Sequence, residues 1–181
     1  MRALPLRLRR VGVDCGQPMT RERTPNDLCT PSWLIDRVGR IGPVTLDPCS
    51  NPWACPFADR TLSLDAGEDG LAESWEEVSG GGLTFVNPPY GRGHLARWAD
   101  KIAFEAMQGT EIVALTPTAS TRWADTLRRA CRARVDLAKR ISFGGGKHGA
   151  GLFDSTLWYA GPSPYLFAHV FADVGEVRIY R

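Results

Sequence analysis

The sequence predicts a single α/β domain built on one open sheet, and three observations carry that prediction. Short apolar, β-branched and aromatic runs at 44–47, 83–86 and 111–116 alternate with segments whose apolar residues recur every three or four positions. Two of those runs end in a polar residue that opens a turn, Asp47 and Asn87, at the carboxyl ends where open α/β sheets bind ligands. With 181 residues and 43% hydrophobic content, the chain can bury one core and is too short for two ordinary domains.

Residues 1–24 carry Arg2, Arg7, Arg9, Arg10, Arg21 and Arg23 with no periodicity. They read as a flexible basic arm, either an untethered tail or one that lies on phosphates, ahead of a domain at 25–181. Thr30 suits an N-cap and Pro31 the first helical position, and Trp33, Leu34, Arg37 and Val38 then give a short amphipathic helix ended by Gly39 or Gly42. Residues 44–47 form a strand with Asp47 at its end. Only thirty-five residues separate Asp47 from Leu83. A doubly wound sheet normally spends three helices and two strands there, so a loop-like path through 53–70 must replace some of them.

Beyond 83–86, Leu95, Trp98, Ala99, Ile102, Ala103 and Ala106 define a helix ending near Gly109. A buried strand at 111–116 is closed by Pro117. A helix at 120–131 turns Trp123 and Leu127 inward and Arg128, Arg129 and Arg132 outward. A strand at 135–143, a glycine-rich loop at 144–151 holding Lys147 and His148, a strand at 153–160, a short helix or turn at 165–172 and a last strand at 176–180 complete the chain. No Lys-Ser/Thr follows Gly144-Gly145-Gly146, so this is not a nucleoside triphosphate loop.

The formal charge of +2 hides an asymmetry: 61–80 holds six acids and no Lys or Arg, while 120–147 holds eight Lys or Arg against two acids. That distribution fits a polyanion on one face and fits a solvated helix face equally well. No run approaches a membrane span and no signal-peptide pattern opens the chain, so a soluble, intracellular protein is expected. The cysteines, at 15, 29, 49, 55 and 131, include no Cys-x-x-Cys pair and leave an odd one, and read as free thiols of a reducing compartment rather than a zinc site.

The most informative stretch is Asn87-Pro88-Pro89-Tyr90. Its prolines fix their own φ, hold the preceding residues extended and remove two backbone donors, leaving a rigid turn that offers acceptors. An ordinary Pro-Pro turn is the plain reading. The chemical reading is that an exocyclic base amine, whose lone pair is delocalised into its ring, donates to the Asn87 side-chain carbonyl and to the Pro88 carbonyl. Its nitrogen then turns pyramidal toward an electrophile, with Tyr90 stacked on a base taken out of the helix.

From about Cys29 to Tyr180 the chain resembles the phage-type DNA N-6-adenine methyltransferases, the Dam-related family. Besides Asn-Pro-Pro-Tyr, the resemblance is carried by Thr30-Pro31-Ser32-Trp33-Leu34, Leu46-Asp47-Pro48-Cys49-Ser50, Glu68-Asp69-Gly70-Leu71, Trp75, Trp98, Lys101 and Arg140-Ile141-Ser142-Phe143, all in the family's order. Unlike methyltransferases at large, the chain has no glycines just after Asp47, where Asn51-Pro52-Trp53 stands; the match is to the phage subfamily.

The resemblance implies a reduced Rossmann-like, S-adenosylmethionine-dependent methyltransferase sheet in a single domain. It implies methyl transfer to the N-6 amine of adenine in double-stranded DNA, in the cytoplasm, the host's if the chain is phage-encoded. Asn87, Pro88, Pro89 and Tyr90 would form the catalytic turn. Thr30, Pro31, Trp33, Asp47, Cys49, Asp69 and Asn87 would hold the cofactor, with Gly70 allowing close backbone approach. No metal is implied, because the sulfonium is already an activated electrophile. Arg92, Arg122, Arg140 and Lys147 are the candidate DNA contacts. Cytosine, guanine of RNA and protein glutamine also present planar N–H donors to such a turn, and a silent DNA-binding relative would share the fold.

Overall fold

Leu83–Val86 is buried at all four positions and Ser155–Ala160 at all six, the pattern of strands covered on both faces. The computed structural model describes residues 29–54, 56–91, 93–143, 151 and 153–180. The basic arm, Cys15, Cys55, Arg92 and most of the glycine-rich loop with Lys147 and His148 lie outside the described residues.

One mixed sheet contains β1 (Val44–Asp47), β2 (Arg60–Thr61), β3 (Leu83–Val86), β4 (Ile112–Pro117), β5 (Ala133–Leu137), β6 (Ser155–Ala160) and β7 (Gly175–Ile179), in the order β2-β1-β3-β4-β6-β5-β7. Strands β2, β1, β3 and β4 are parallel neighbours. β6 inserts antiparallel between β4 and β5, and β7 closes the edge antiparallel to β5. β1, β3, β4 and β5 therefore all end at the same sheet edge.

The helices are α1 (Ser32–Val38), α2 (Trp75–Ser79), α3 (His94–Gln108), α4 (Arg122–Ala130) and α5 (Pro164–Phe171). Alternation along the strands divides the core in two. Phe85, Val113, Leu115, Leu157 and Tyr159 pack with Leu34 and Val38 of α1 and Phe167 and Phe171 of α5. Leu46, Val86, Ala114 and Trp158 pack on the other face with Trp75 of α2, Trp98 and Ile102 of α3, and Leu127 of α4. The sheet is thus the middle of three layers.

The chain steps from β1 to β2 on one side and then returns past β1 to β3 on the other. That reversal leaves a crevice beyond the carboxyl ends of β1 and β3, where Asp47 and the turn starting at Asn87 emerge.

Several elements depart from expectation for local reasons. Pro31, not Thr30, is the N-cap of α1, and its carbonyl accepts from the Leu34 and Ile35 N–H groups at 3.0 and 3.4 Å. The strand expected at 135–143 stops at Leu137, because β6 begins and β7 begins opposite that point and leave later residues no ladder partner. The 48–82 segment is mostly loop, but it includes the two-residue β2 and the five-residue α2 capped by the Ser74 side chain. Both are too short to leave a periodic signal.

Candidate active site

Asp47 is only 6% exposed at the end of β1. Its Oδ1 accepts the Cys49 N–H at 3.1 Å, and its main-chain carbonyl accepts from Leu62, which anchors the loop beneath it. Burial pushes its carboxyl up to about 6, against the opposing hydrogen bonds from Cys49 and Ser50. The Cys49 thiol is held well above its usual range by burial and by the Asp47 charge, and it meets the Asn87 N–H. One cysteine therefore joins the ends of β1 and β3.

Asn87 is held from two sides. Its Nδ2 donates to Thr30 Oγ1 at 3.1 Å, and its Oδ1 accepts the Tyr90 hydroxyl at 2.8 Å. The same hydroxyl lies 3.4 Å from the Leu115 carbonyl, so the shorter bond to Asn87 dominates. Burial raises the Tyr90 phenol well above its usual range and keeps it a neutral donor. Its ring stands edge-on to Phe153 and Phe143 at centroid distances of 5.2 and 6.1 Å. The Pro88 carbonyl accepts no hydrogen bond from the described residues.

Beside this turn lies a cleft of about 400 Å³ whose lining includes Cys49, Asp69, Asn87, Pro89, Arg97 and Trp98. Asp65 and Glu68 line the same wall, Glu68 paired with Arg60 at 2.6 Å, and Leu62, Leu64 and Leu71 add apolar surface. The first turn of α3 contributes His94 and Arg97, so the lining holds basic groups from a helix N-terminus as well as acids. At Gly70 a Cβ would stand 1.8 Å from the Pro48 carbonyl oxygen, so only glycine lets the two loops meet.

The Asp69–Gly70 loop is supported from below. Asp69 Oδ1 accepts the Leu71 N–H at 2.9 Å, and buried Trp75 donates Nε1–H to the Gly70 carbonyl at 2.7 Å. The Trp75 main-chain N–H in turn donates to Glu105 Oε2 at 3.2 Å. Glu105 is buried and paired with Lys101 at 2.6 Å, and Lys101 also donates to the Glu73 carbonyl. This explains the spacing of Trp75, Trp98 and Lys101: they fix the cleft wall from α2 and α3.

The expected site residues separate into groups. Cys49, Asp69, Asn87 and Pro89 line the cleft, whereas Thr30, Asp47, Pro88 and Tyr90 do not: Asp47 bonds the Cys49 N–H, and Thr30 and Tyr90 bond the Asn87 side chain. Pro31 starts α1 beside Thr30 and does not line the cleft. Trp33 is 43% exposed and lines a different depression, with Lys139 and Arg140, beyond the end of β5. Arg140 pairs with Asp154 at 3.0 Å, and Arg122 is exposed at the start of α4. Arg92 and Lys147 lie outside the described residues.

Sequence reasoning missed Asp65, Glu68, His94 and Arg97 as lining residues, together with the Tyr90–Asn87 bond. For the last two lining residues a signal existed: His94 and Arg97 are three apart at the start of a helix that directly follows the turn, so they share its face. Cys49 and Cys131 are thiols, and Cys29 donates to the Trp53 carbonyl at 3.3 Å. Among the described residues no cluster of three His, Cys, Asp or Glu could hold a metal ion, and no helix is long and apolar enough to cross a membrane. No protein-family model matches the chain, and no curated protein matches it in sequence.

Proposed function

We propose that this chain transfers the methyl group of S-adenosylmethionine to the exocyclic N-6 amine of adenine in DNA. The observation that carries the proposal is the position of Asn87, which lines the cleft and is gripped by Thr30 and Tyr90 at the sheet's reversal point. The cleft suits the cofactor chemically. Asp65 and Asp69 line it and complement an ammonium and ribose hydroxyls, and the buried Asp47 carboxyl, bonded to the lining Cys49 N–H, adds negative potential for a sulfonium. Arg97 and the α3 N-terminus complement an α-carboxylate, and Leu62, Leu71 and Trp98 give an adenine ring apolar cover. When bound, the cofactor supplies a methyl carbon attached to a cationic sulfur, which departs as a neutral thioether.

The chain's own residues orient the nucleophile. Asn87 Oδ1 and the Pro88 carbonyl each accept one N–H of the amine, drawing its lone pair out of conjugation and toward the cleft. With the methyl donor bound in the cleft, those acceptors would face an amine that becomes positive as it takes the methyl group, and would hold its N–H groups until the proton is released. Such preorganised acceptors are worth most where water is excluded. Incubation with methyl-labelled cofactor and duplex DNAs of defined sequence should place label in N-6-methyladenine. Label in protein or RNA and none in DNA would reassign the substrate, and no transfer to any acceptor would refute the proposal.

A further inference from the structure

We infer that the depression walled by Trp33 is a second nucleic-acid contact, a socket for an unstacked base whose flanking phosphates meet Lys139 and Arg140. The inference deepens the DNA reading above and rests on it for the nature of the strand.

The depression measures about 390 Å³, within the range of small-molecule sites, and its floor is Leu137, Ile141 and Val174. Trp33 forms its wall. On α1 the buried positions are Leu34 and Val38, one turn apart, so Trp33 lies off the face that α1 gives to the core. A 43% exposed indole beside an apolar floor is a platform of the kind bases stack on.

Charge selects the occupant. Lys139 is exposed at the rim. Arg140 shares an exposed pair with Asp154, a contact worth little that leaves further guanidinium donors for a phosphate. The lining acid, Asp173, is neutralised by two bonds from Arg37 at 2.6 and 2.8 Å, with Arg40 nearby. Asp36, one turn on from Trp33, is exposed. The rim therefore presents cations to an anionic strand, while the floor and wall present apolar and aromatic surface to a base.

Position agrees with chemistry. The segment from Leu137 leaves β5 at the sheet edge that also carries the Asn87 turn. Thr30 touches Asn87 directly, and Trp33 is three residues beyond it, within about 10 Å along the chain. A strand delivering one nucleotide to Asn87 thus passes the depression.

The test is binding of a labelled oligothymidylate, single-stranded, to the full chain without cofactor. Trp33→Ala should weaken binding about tenfold and Trp33→Phe should retain most of it, the signature of stacking. The exposed double variant Lys139→Gln/Arg140→Gln should flatten the dependence of log affinity on log salt by about 1.4, two single-strand phosphate contacts. Both effects should persist in the Asn87→Ala background. Wild-type affinity in Trp33→Ala, or an unchanged salt slope in the charge variant, overturns the socket. Failure of the methylation proposal looks different: label stays off DNA while the Trp33 effect on binding remains.

Discussion

The Tyr90 hydroxyl donates to Asn87 Oδ1 at 2.8 Å, so the residue expected to stack on a base also aims the amide expected to receive it. Removing the hydroxyl and keeping the ring separates these roles. Tyr90→Phe should slow single-turnover methyl transfer about tenfold, the scale of one buried hydrogen bond, with cofactor affinity unchanged. Asn87→Ala, which removes the acceptor itself, should cost about 10²–10³ in rate with the fold intact. Wild-type turnover in both variants would show that this amide takes no part in the chemistry.

Asp47 links pH to stability and, under the proposed function, to cofactor binding. Burial raises its carboxyl from 3.8 to about 6, so the folded chain holds a proton that the unfolded chain has already released between those values. Stability contributed by this group is therefore full below 3.8 and lost as pH rises through about 6, a cost of about 3 kcal/mol at neutral pH. Asp47→Asn should raise resistance to urea at neutral pH and lose that advantage in acid. The same variant should weaken S-adenosylmethionine binding by about 1–3 kcal/mol, because an ionised carboxylate is what a cationic ligand needs. Wild-type binding of this cofactor should itself tighten as pH rises through about 6. Calorimetry showing pH-independent affinity and no effect of the substitution would put the cofactor elsewhere.

Strand ends were the legible part of this molecule. β1 and β3 are apolar runs closed by Asp47 and by Asn87-Pro88-Pro89, and those letters mark the two strand ends, while the crevice between them comes from the strand order. α3 was equally plain, because fifteen residues carry four turns of periodicity and Gly109, at φ 102°, ends it. The sheet's mixed half was not legible. Nothing in Ser155–Ala160 says that it returns antiparallel between β4 and β5, since pairing direction depends on a connection whose path the letters do not encode. The depression that Trp33 lines was not legible for a related reason: a motif gives order along the chain, while the face a side chain takes depends on the helix register set by Pro31.

The cleft wall depends on a buried relay through Trp75. Its Nε1 holds the Gly70 carbonyl and its main-chain N–H meets Glu105. Trp75→Phe keeps most of the packing and leaves the Gly70 carbonyl without that donor, which should destabilise the fold by about 1–3 kcal/mol. Because Gly70 adjoins Asp69 in the cleft, cofactor affinity should fall as well, while binding of DNA without cofactor stays unchanged. A stability loss unaccompanied by any change in cofactor affinity would make this relay purely architectural.

The basic segment after Pro117 does not act as one surface. α4 leaves the carboxyl edge of the sheet at Arg122 and runs toward the start of β5, so Arg128 lies about 9 Å further along the helix axis, away from Asn87. Arg128 pairs with Asp125 and reaches toward Tyr180, which follows β7 at the opposite edge. Arg129 and Arg132 are exposed in the same region. Arg122 and Arg140, in contrast, sit at the edge of the Asn87 turn. Each phosphate contact on duplex DNA contributes about 0.9 to the slope of log affinity against log salt. The double variant Arg122→Gln/Arg140→Gln should flatten that slope by up to about 1.8 and weaken binding to all sequences alike. The triple variant Arg128→Gln/Arg129→Gln/Arg132→Gln should leave the slope near wild type. Should the triple variant flatten the slope while the double variant does not, duplex DNA approaches from the far edge of the sheet, and the Asn87 turn cannot be where it is read.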